Sequence, residues 1–207
     1  MRHNPKHAVT EEQIVRTLIV ENPWATIVSH TEHGLVASHY PVLLDETRDD
    51  LAIVTHVGRP DEQLHCFGAG EVLLIVAGPH GYISPSWYTE HATPVPTWNF
   101  SAAHCYGIPE VLDADENLRV LTSLVEHFER HVDAPVALDQ DFGAGLAKGT
   151  VGIRLPISRF VCKVKMSQDK DPQTQRQVLD ALRGPGPYRN LALADDMQRA
   201  LAGTAAA

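Results

Sequence analysis

Between residues 24 and 77, apolar segments follow one another through connections too short for a helical crossover, apart from one short helical stretch. Parallel neighbours need a crossover of about a dozen residues or more, so these segments must pair mainly antiparallel. Residues 24–29 read as a short apolar strand, and Glu32-His33-Gly34 supplies the turn that follows. Residues 35–44 alternate and continue the sheet, with Pro41 marking an edge or bulge because it brings no N–H to a ladder. Residues 51–56 form a third strand. Residues 60–67 have the marks of a short helix: Pro60 at its first position, Asp61 and Glu62 in its first turn, Gly68 closing it. Residues 71–77 are a continuous run rich in Val, Leu and Ile, the pattern of a central buried strand.

Around this block the periodicity changes. A capping box from Thr10 to Gln13 opens a helix over residues 11–21. A Gly- and Pro-rich loop spans residues 78–96, followed by a long strand or a pair of strands over 97–112. Residues 113–131 form the longest helix, with Leu118, Leu121, Val125, Phe128 and Val132 on its packing face. Residues 134–149 carry little pattern. Strand character returns over 151–166, where Phe160, Cys162, Val164 and Met166 point one way and Arg159, Lys163 and Lys165 the other. Two helices, about 173–183 and 190–202, flank Gly184-Pro185-Gly186-Pro187. The sum is an α+β chain: a mostly antiparallel barrel with flanking helices, a single domain over residues 1–207 with a C-terminal helical appendage at about 170–203.

Composition removes several functions. The chain has 17 Lys+Arg against 26 Asp+Glu, a net charge of −9, so nucleic-acid binding is disfavoured for want of clustered positive charge. Three separated cysteines, Cys66, Cys105 and Cys162, form no CxxC and no disulfide framework. No leader-like or membrane-spanning apolar run is present, which points to a cytoplasmic protein without a membrane partner. GxxxxGK[ST], HExxH and GxSxG are absent, and Gly68-Ala69-Gly70 precedes a strand where a dinucleotide fingerprint would follow one.

The chain does carry twelve histidines, and neutral imidazole is the commonest protein metal ligand. His39, His56, His65, His80 and His104 lie in four regions that concentrate reactive side chains. Among them His65 is singled out by spacing: Asp61 sits four residues earlier on the same helical face and could hold Nδ1, leaving Nε2 for a metal. A surface histidine near a helix C-terminus is the plain alternative. The 78–99 segment holds His80, Tyr82, Ser84, Trp87, Tyr88, Trp98 and Asn99 within a proline-stiffened frame, suited to a planar cofactor and a polar substrate, or simply to packing on the barrel. Arg159, Lys163 and Lys165 could hold an anionic group such as a flavin phosphate or haem propionates, or form a solvated strand face.

At these motifs the sequence resembles the PaiB family of FMN-binding negative transcriptional regulators. The stretches that carry the resemblance are Asn22-Pro23-Trp24-Ala25-Thr26, residues 37–45, Gly78 to Tyr88, Val95 to Asn99 and Lys163 to Gln168, so it covers essentially the whole chain. The resemblance implies a split β-barrel of the FMN-binding, pyridoxine-phosphate-oxidase-like kind and a homodimer with its cofactor site at the subunit interface. Residues 57–66 depart from the commoner pattern by placing His65 there. That departure is similar to the haem-dependent piperazate synthases of natural-product biosynthesis, cyclases that form an N–N bond from N5-hydroxy-L-ornithine with loss of water. The resemblance then implies haem b held by His65; cofactor contacts from His39, His56, Trp87, Trp98, Asn99, Arg159, Lys163 and Lys165; and catalytic candidates in His80, Tyr82, Ser84 and Tyr88. FMN with a regulatory or reductase role is the alternative, and a haem-degrading or haem-storing barrel a third.

Overall fold

Alternation decides the first hairpin. In β2 (Trp24–Thr31) Ala25, Ile27, Ser29 and Thr31 are buried, while Trp24 and His30 on the other side are exposed. This strand pairs antiparallel with β3 (Gly34–Pro41) along its full length, from Trp24 opposite Pro41 to Thr31 opposite Gly34. Gly34 takes φ +107°, a conformation that L side chains rarely adopt, which is why the turn needs it. Pro41 ends β3, and the chain re-enters structure as β4 (Leu43–Leu44) in a different sheet. The interruption expected at Pro41 is thus a change of sheet.

The structure is a computed structural model that describes residues 1, 4–90, 93–136, 138 and 140–204. The remaining elements are β1 (Ala8–Val9), α1 (Glu12–Glu21), β5 (Ala52–Gly58), α2 (Arg59–His65), β6 (Val72–Ile83), a 3-10 turn (Pro85–Trp87), β7 (Thr97–Gly107), β8 (Glu110–Val111), α3 (Ala114–Glu129), α4 (Gln140–Ala147), β9 (Thr150–Pro156), β10 (Arg159–Lys165), α5 (Pro172–Arg183) and α6 (Leu191–Thr204). One sheet has the order β1-β10-β7-β6-β2-β3 and the other β4-β5-β9-β8. The pairings of β2 with β3 and β6, of β5 with β4 and β9, of β8 with β9 and of β1 with β10 are all antiparallel; short connections require this of β2–β3 and β4–β5, while the others join segments distant in sequence.

Two compact units emerge, each discontinuous in sequence. The sheet unit comprises Glu11–Val76 and Ala103–Phe160, and the helical unit Met1–Thr10, Ala77–Ala102 and Val161–Ala207. In the sheet unit, Val54, Leu112, Val120 and Leu124 form a core where α3 covers β5. In the helical unit, α5 and α6 close over Ile83 and Met166 through Val178, Leu182, Leu193 and Met197.

Four local expectations are corrected. The N-cap of α1 is Glu11, not Thr10, and it makes no side-chain capping bond. The segment following Ala77 is no loop at first: β6 continues through Pro79 to Ile83. Its pairing with β2 covers only Leu73–Ile75, so farther along Pro79 can sit in a strand without owing that neighbour a donor. Helix α3 buries Asn117, Val120, Leu121 and Leu124, whereas Phe128 and Val132 are exposed. The buried stripe is rotated because Asn117 turns inward and gives its Nδ2 to the carbonyls of Ala147 and Thr150. Residues 140–147 are helical despite two glycines.

Candidate functional site

Helix α2 begins where sequence chemistry puts it, with proline in the first turn beside Asp61 and Glu62, and His65 in its last turn. Its closure differs: Cys66, not Gly68, is the C-cap, in the left-handed region at φ 50°. The helix lies against β2 and β3, whose register puts Ser29, Ser38 and Tyr40 on one face of the hairpin. That face receives His65, which is 2% exposed. Ser29 Oγ lies 2.8 Å from Nδ1 and Ser38 Oγ 2.9 Å from Nε2. Phe67 stacks on the imidazole at 4.8 Å with the planes 10° apart, and Tyr40 meets it edge-on at 6.5 Å.

Asp61 does not hold Nδ1 as its spacing suggests. It accepts a 2.8 Å hydrogen bond from the Tyr40 hydroxyl. Burial, opposed by the nearby Ser38 hydroxyl and aided by Asp61, pushes the Tyr40 phenol up to about 12, so it remains a neutral donor. Burial lowers the pKa of His65 more than Asp61 raises it, which favours the neutral imidazole that has a lone pair to offer. Among the described residues no group of three or more His, Cys, Asp or Glu could hold a bare metal ion. A cofactor whose metal takes a single imidazole would be held by His65 through Nε2, the nitrogen that faces Ser38.

The other expected residues divide between the units. In the sheet unit, His39 is exposed and stacks on Trp24 at 6.3 Å. His56 is half-buried on β5; its Nδ1 has no hydrogen-bond partner and burial lowers its pKa. Arg159 does not act with the two lysines as a free basic face. Its guanidinium is committed 2.6 Å from Glu71 and 3.6 Å above the Tyr106 ring.

The helical unit assembles the aromatic residues of the 78–99 segment. Tyr82 lies 6.5 Å from Trp98 and 5.2 Å from Tyr188, and Trp87 meets Tyr188 at 6.1 Å. His80 packs 6.3 Å from Trp98 and gives Nδ1–H to the Gly78 carbonyl at 3.1 Å. Ser84 caps the 3-10 turn, accepting from the Ser86 amide, so its hydroxyl has a structural task. The Tyr88 hydroxyl reaches the Val95 carbonyl at 3.4 Å, and burial, followed by Asp169 and Tyr82, raises its pKa. Asn99 is fully buried, with Nδ2 2.9 Å from Ser167 Oγ and 3.8 Å from the Met197 sulfur, which leaves it no face for a ligand. On β10, Lys163 lies 5.5 Å from the Phe100 ring and Lys165 donates to Thr97 Oγ1. Burial lowers the Lys165 pKa more than Asp169 raises it.

Sequence reasoning missed Ser29, Ser38, Phe67 and Tyr188, and placed Tyr40 only beside His39 in a reactive stretch. The available signal was slight: Ser29 falls on the buried side of the β2 alternation, and Tyr188 is an aromatic in an interhelical Gly-Pro turn.

Comparison with known proteins agrees with this architecture. The family described as "Putative FMN-binding domain" matches residues 1–159. The chain is 33% identical over 184 residues to "Protease synthase and sporulation protein PAI 2" of Bacillus subtilis strain 168, covering 86% of this chain and 88% of that protein. Among solved structures it resembles the FAD and heme binding protein from Mycobacterium smegmatis, at 17% identity and a TM-score of 0.60, covering 82% of this chain and 78% of that one. It also resembles the flavocytochrome Anf3 from Azotobacter vinelandii, at 16% identity and a TM-score of 0.59, over 80% and 72% of the two chains.

Proposed function

The chain belongs to the PaiB-like FMN-binding domain family and has its split-barrel fold, and on that premise we propose that it is a haem b-dependent cyclase. The reaction is N–N bond formation in N5-hydroxy-L-ornithine, giving L-piperazate with loss of water. One observation carries this reading: a neutral, buried imidazole held at Nδ1 by one hydroxyl, whose Nε2 is opposed only by another. A solved split barrel described as binding both FAD and heme supports it, since that fold holds either cofactor.

Two nitrogens do not combine unaided, and bound ferric haem would supply the Lewis acidity that makes the hydroxylamine nitrogen electrophilic. His65 is the residue that would hold it, with Ser29 and Phe67 fixing the ring. The α-ammonium must lose a proton and the departing oxygen must gain one. A base near the α-ammonium and an acid near the departing oxygen would serve these two transfers.

The proposed assembly is a homodimer. Register places Trp24, Thr26, Val28 and His30 beside Pro41, His39, Ala37 and Leu35 on one face of the hairpin. None of these carries a fixed charge, and Leu35 and Trp24 are 76% and 64% exposed. A face of this kind is what a second copy would cover.

FMN with a reductase or regulatory role is the second reading, favoured by the family description and by two lysines on one strand, Lys163 over Phe100 and Lys165 at Thr97. The absorption spectrum of protein from haem-supplemented cells separates the two. A Soret band that shifts on adding N5-hydroxy-L-ornithine, with L-piperazate formed, supports the cyclase. A two-banded flavin spectrum without a Soret band overturns it.

A further inference from the structure

The two hydroxyls at His65 are not equivalent, and their difference has consequences for cofactor loading. Ser29 is 3% exposed on the central part of β2, while Ser38 is half-buried on β3. The buried imidazole stacks on Phe67 and meets Tyr40 edge-on, contacts that turning the ring would break. Tyr40 is in turn fixed by its bond to Asp61. Any exchange of partners at His65 must therefore come from a serine, and a hydroxyl can leave by rotating to another staggered position about Cα–Cβ.

We propose that the two serines act in opposite senses on His65: Ser29 is a positioning residue that accepts Nδ1–H and fixes the tautomer, and Ser38 is a latch that donates to Nε2 and competes with the cofactor for it. This inference rests on the reading of His65 as the axial ligand. Holding Nδ1–H is how outer partners orient metal-binding histidines and raise their basicity. The Nε2 lone pair is then ready-made, and the Ser38 bond is what cofactor binding must break. The latch also keeps a buried nitrogen satisfied while the protein is empty, so the unloaded site avoids an orphaned polar atom.

Haemin titration of the full-length cofactor-free protein, followed by absorbance, tests the proposal in Ser29→Ala, Ser38→Ala, Ser29→Thr and His65→Ala. Ser29→Ala should bind about ten- to hundredfold more weakly, with Ser29→Thr restoring much of the loss. Ser38→Ala should bind about two- to tenfold more tightly, the equivalent of one net hydrogen bond no longer broken. A merely structural role for both serines would weaken both variants. Nitrogen-15 NMR of the cofactor-free protein gives an independent reading: the ring proton should sit on Nδ1, and a proton on Nε2 overturns the proposal. Equal weakening by Ser29→Ala and Ser38→Ala also overturns it, and if His65→Ala loses haemin in the same experiment the ligand reading stands. Unchanged affinity and spectrum in His65→Ala overturn the ligand reading, and the inference with it.

Discussion

Arg154→Met is the substitution whose cost the structure specifies most fully. Arg154 lies on β9 with its Nε 2.6 Å from Asp45 Oδ2 and one Nη 2.7 Å from Glu116 Oε1; the Asp45 side chain is 1% exposed and that of Arg154 11%. Removing one partner of a buried pair typically costs about 3–5 kcal/mol, because the remaining charge stays desolvated. Asp45 Oδ1 keeps two bonds from Thr47, at 2.6 and 3.1 Å, which favours the low end. Glu110, 3.5 Å away and about half exposed, adds little. The expected loss is about 3 kcal/mol, or about 6–12 °C in melting temperature for a chain of this size.

The pH dependence has a definite sign. Burial acts to raise the Asp45 carboxyl, but Thr47 and Arg154 outweigh it and hold the pKa below the ordinary carboxylate value. A group depressed in the folded state contributes stability above its unfolded pKa of about 3.9 and loses it as pH falls through the folded value. Arg154→Met should therefore flatten or reverse the acid limb of a urea-denaturation series below about pH 5. Loss of less than about 1 kcal/mol at neutral pH, with the acid limb unchanged, would mean that Asp45 does not depend on Arg154 for its charge. An Asp45→Asn/Arg154→Met double variant should be less destabilised than the sum of the single ones.

Leu35→Asp should dissociate the proposed homodimer. A two-fold interface counts each substitution twice, so about 2 kcal/mol per site weakens association roughly a thousandfold, read by sedimentation equilibrium; an unchanged mass would remove this face from the interface. Asn99→Ala should lower stability by about 1–3 kcal/mol, since it strands the buried Ser167 hydroxyl, and should leave cofactor absorbance per folded protein unaltered. Lys163→Ala/Lys165→Ala should weaken binding of the anionic cofactor at least about tenfold and reduce its salt dependence; unchanged affinity would move the anion site elsewhere. In α3, Leu121→Ala should cost about 2–5 kcal/mol and Phe128→Ser under about 1, a contrast that thermal melting resolves.

Alternation, helix-start residues such as Pro60 and short connections act between neighbours in the chain. The element types and the antiparallel pairing of β2 with β3 and of β4 with β5 could therefore be read from residues alone, whereas β1–β10 and β5–β9 join segments far apart in it. The β2–β3 hairpin, α2 with Pro60 and the two C-terminal helices were all legible in this way. The extension of β6 through Pro79 was not, since whether a proline breaks a strand depends on which neighbour needs its N–H. The α3 face was read a fraction of a turn away from the true one, because Asn117 is buried by carbonyls some thirty residues distant. His65 could be singled out from its helix, but its surroundings could not. Asp61 was the nearest carboxylate by spacing, yet Tyr40 reaches Asp61, and the imidazole nitrogens meet Ser29 and Ser38 instead. Which polar groups satisfy one another inside a protein follows from strand register and from the helix laid across it, and those are settled only when distant segments pack.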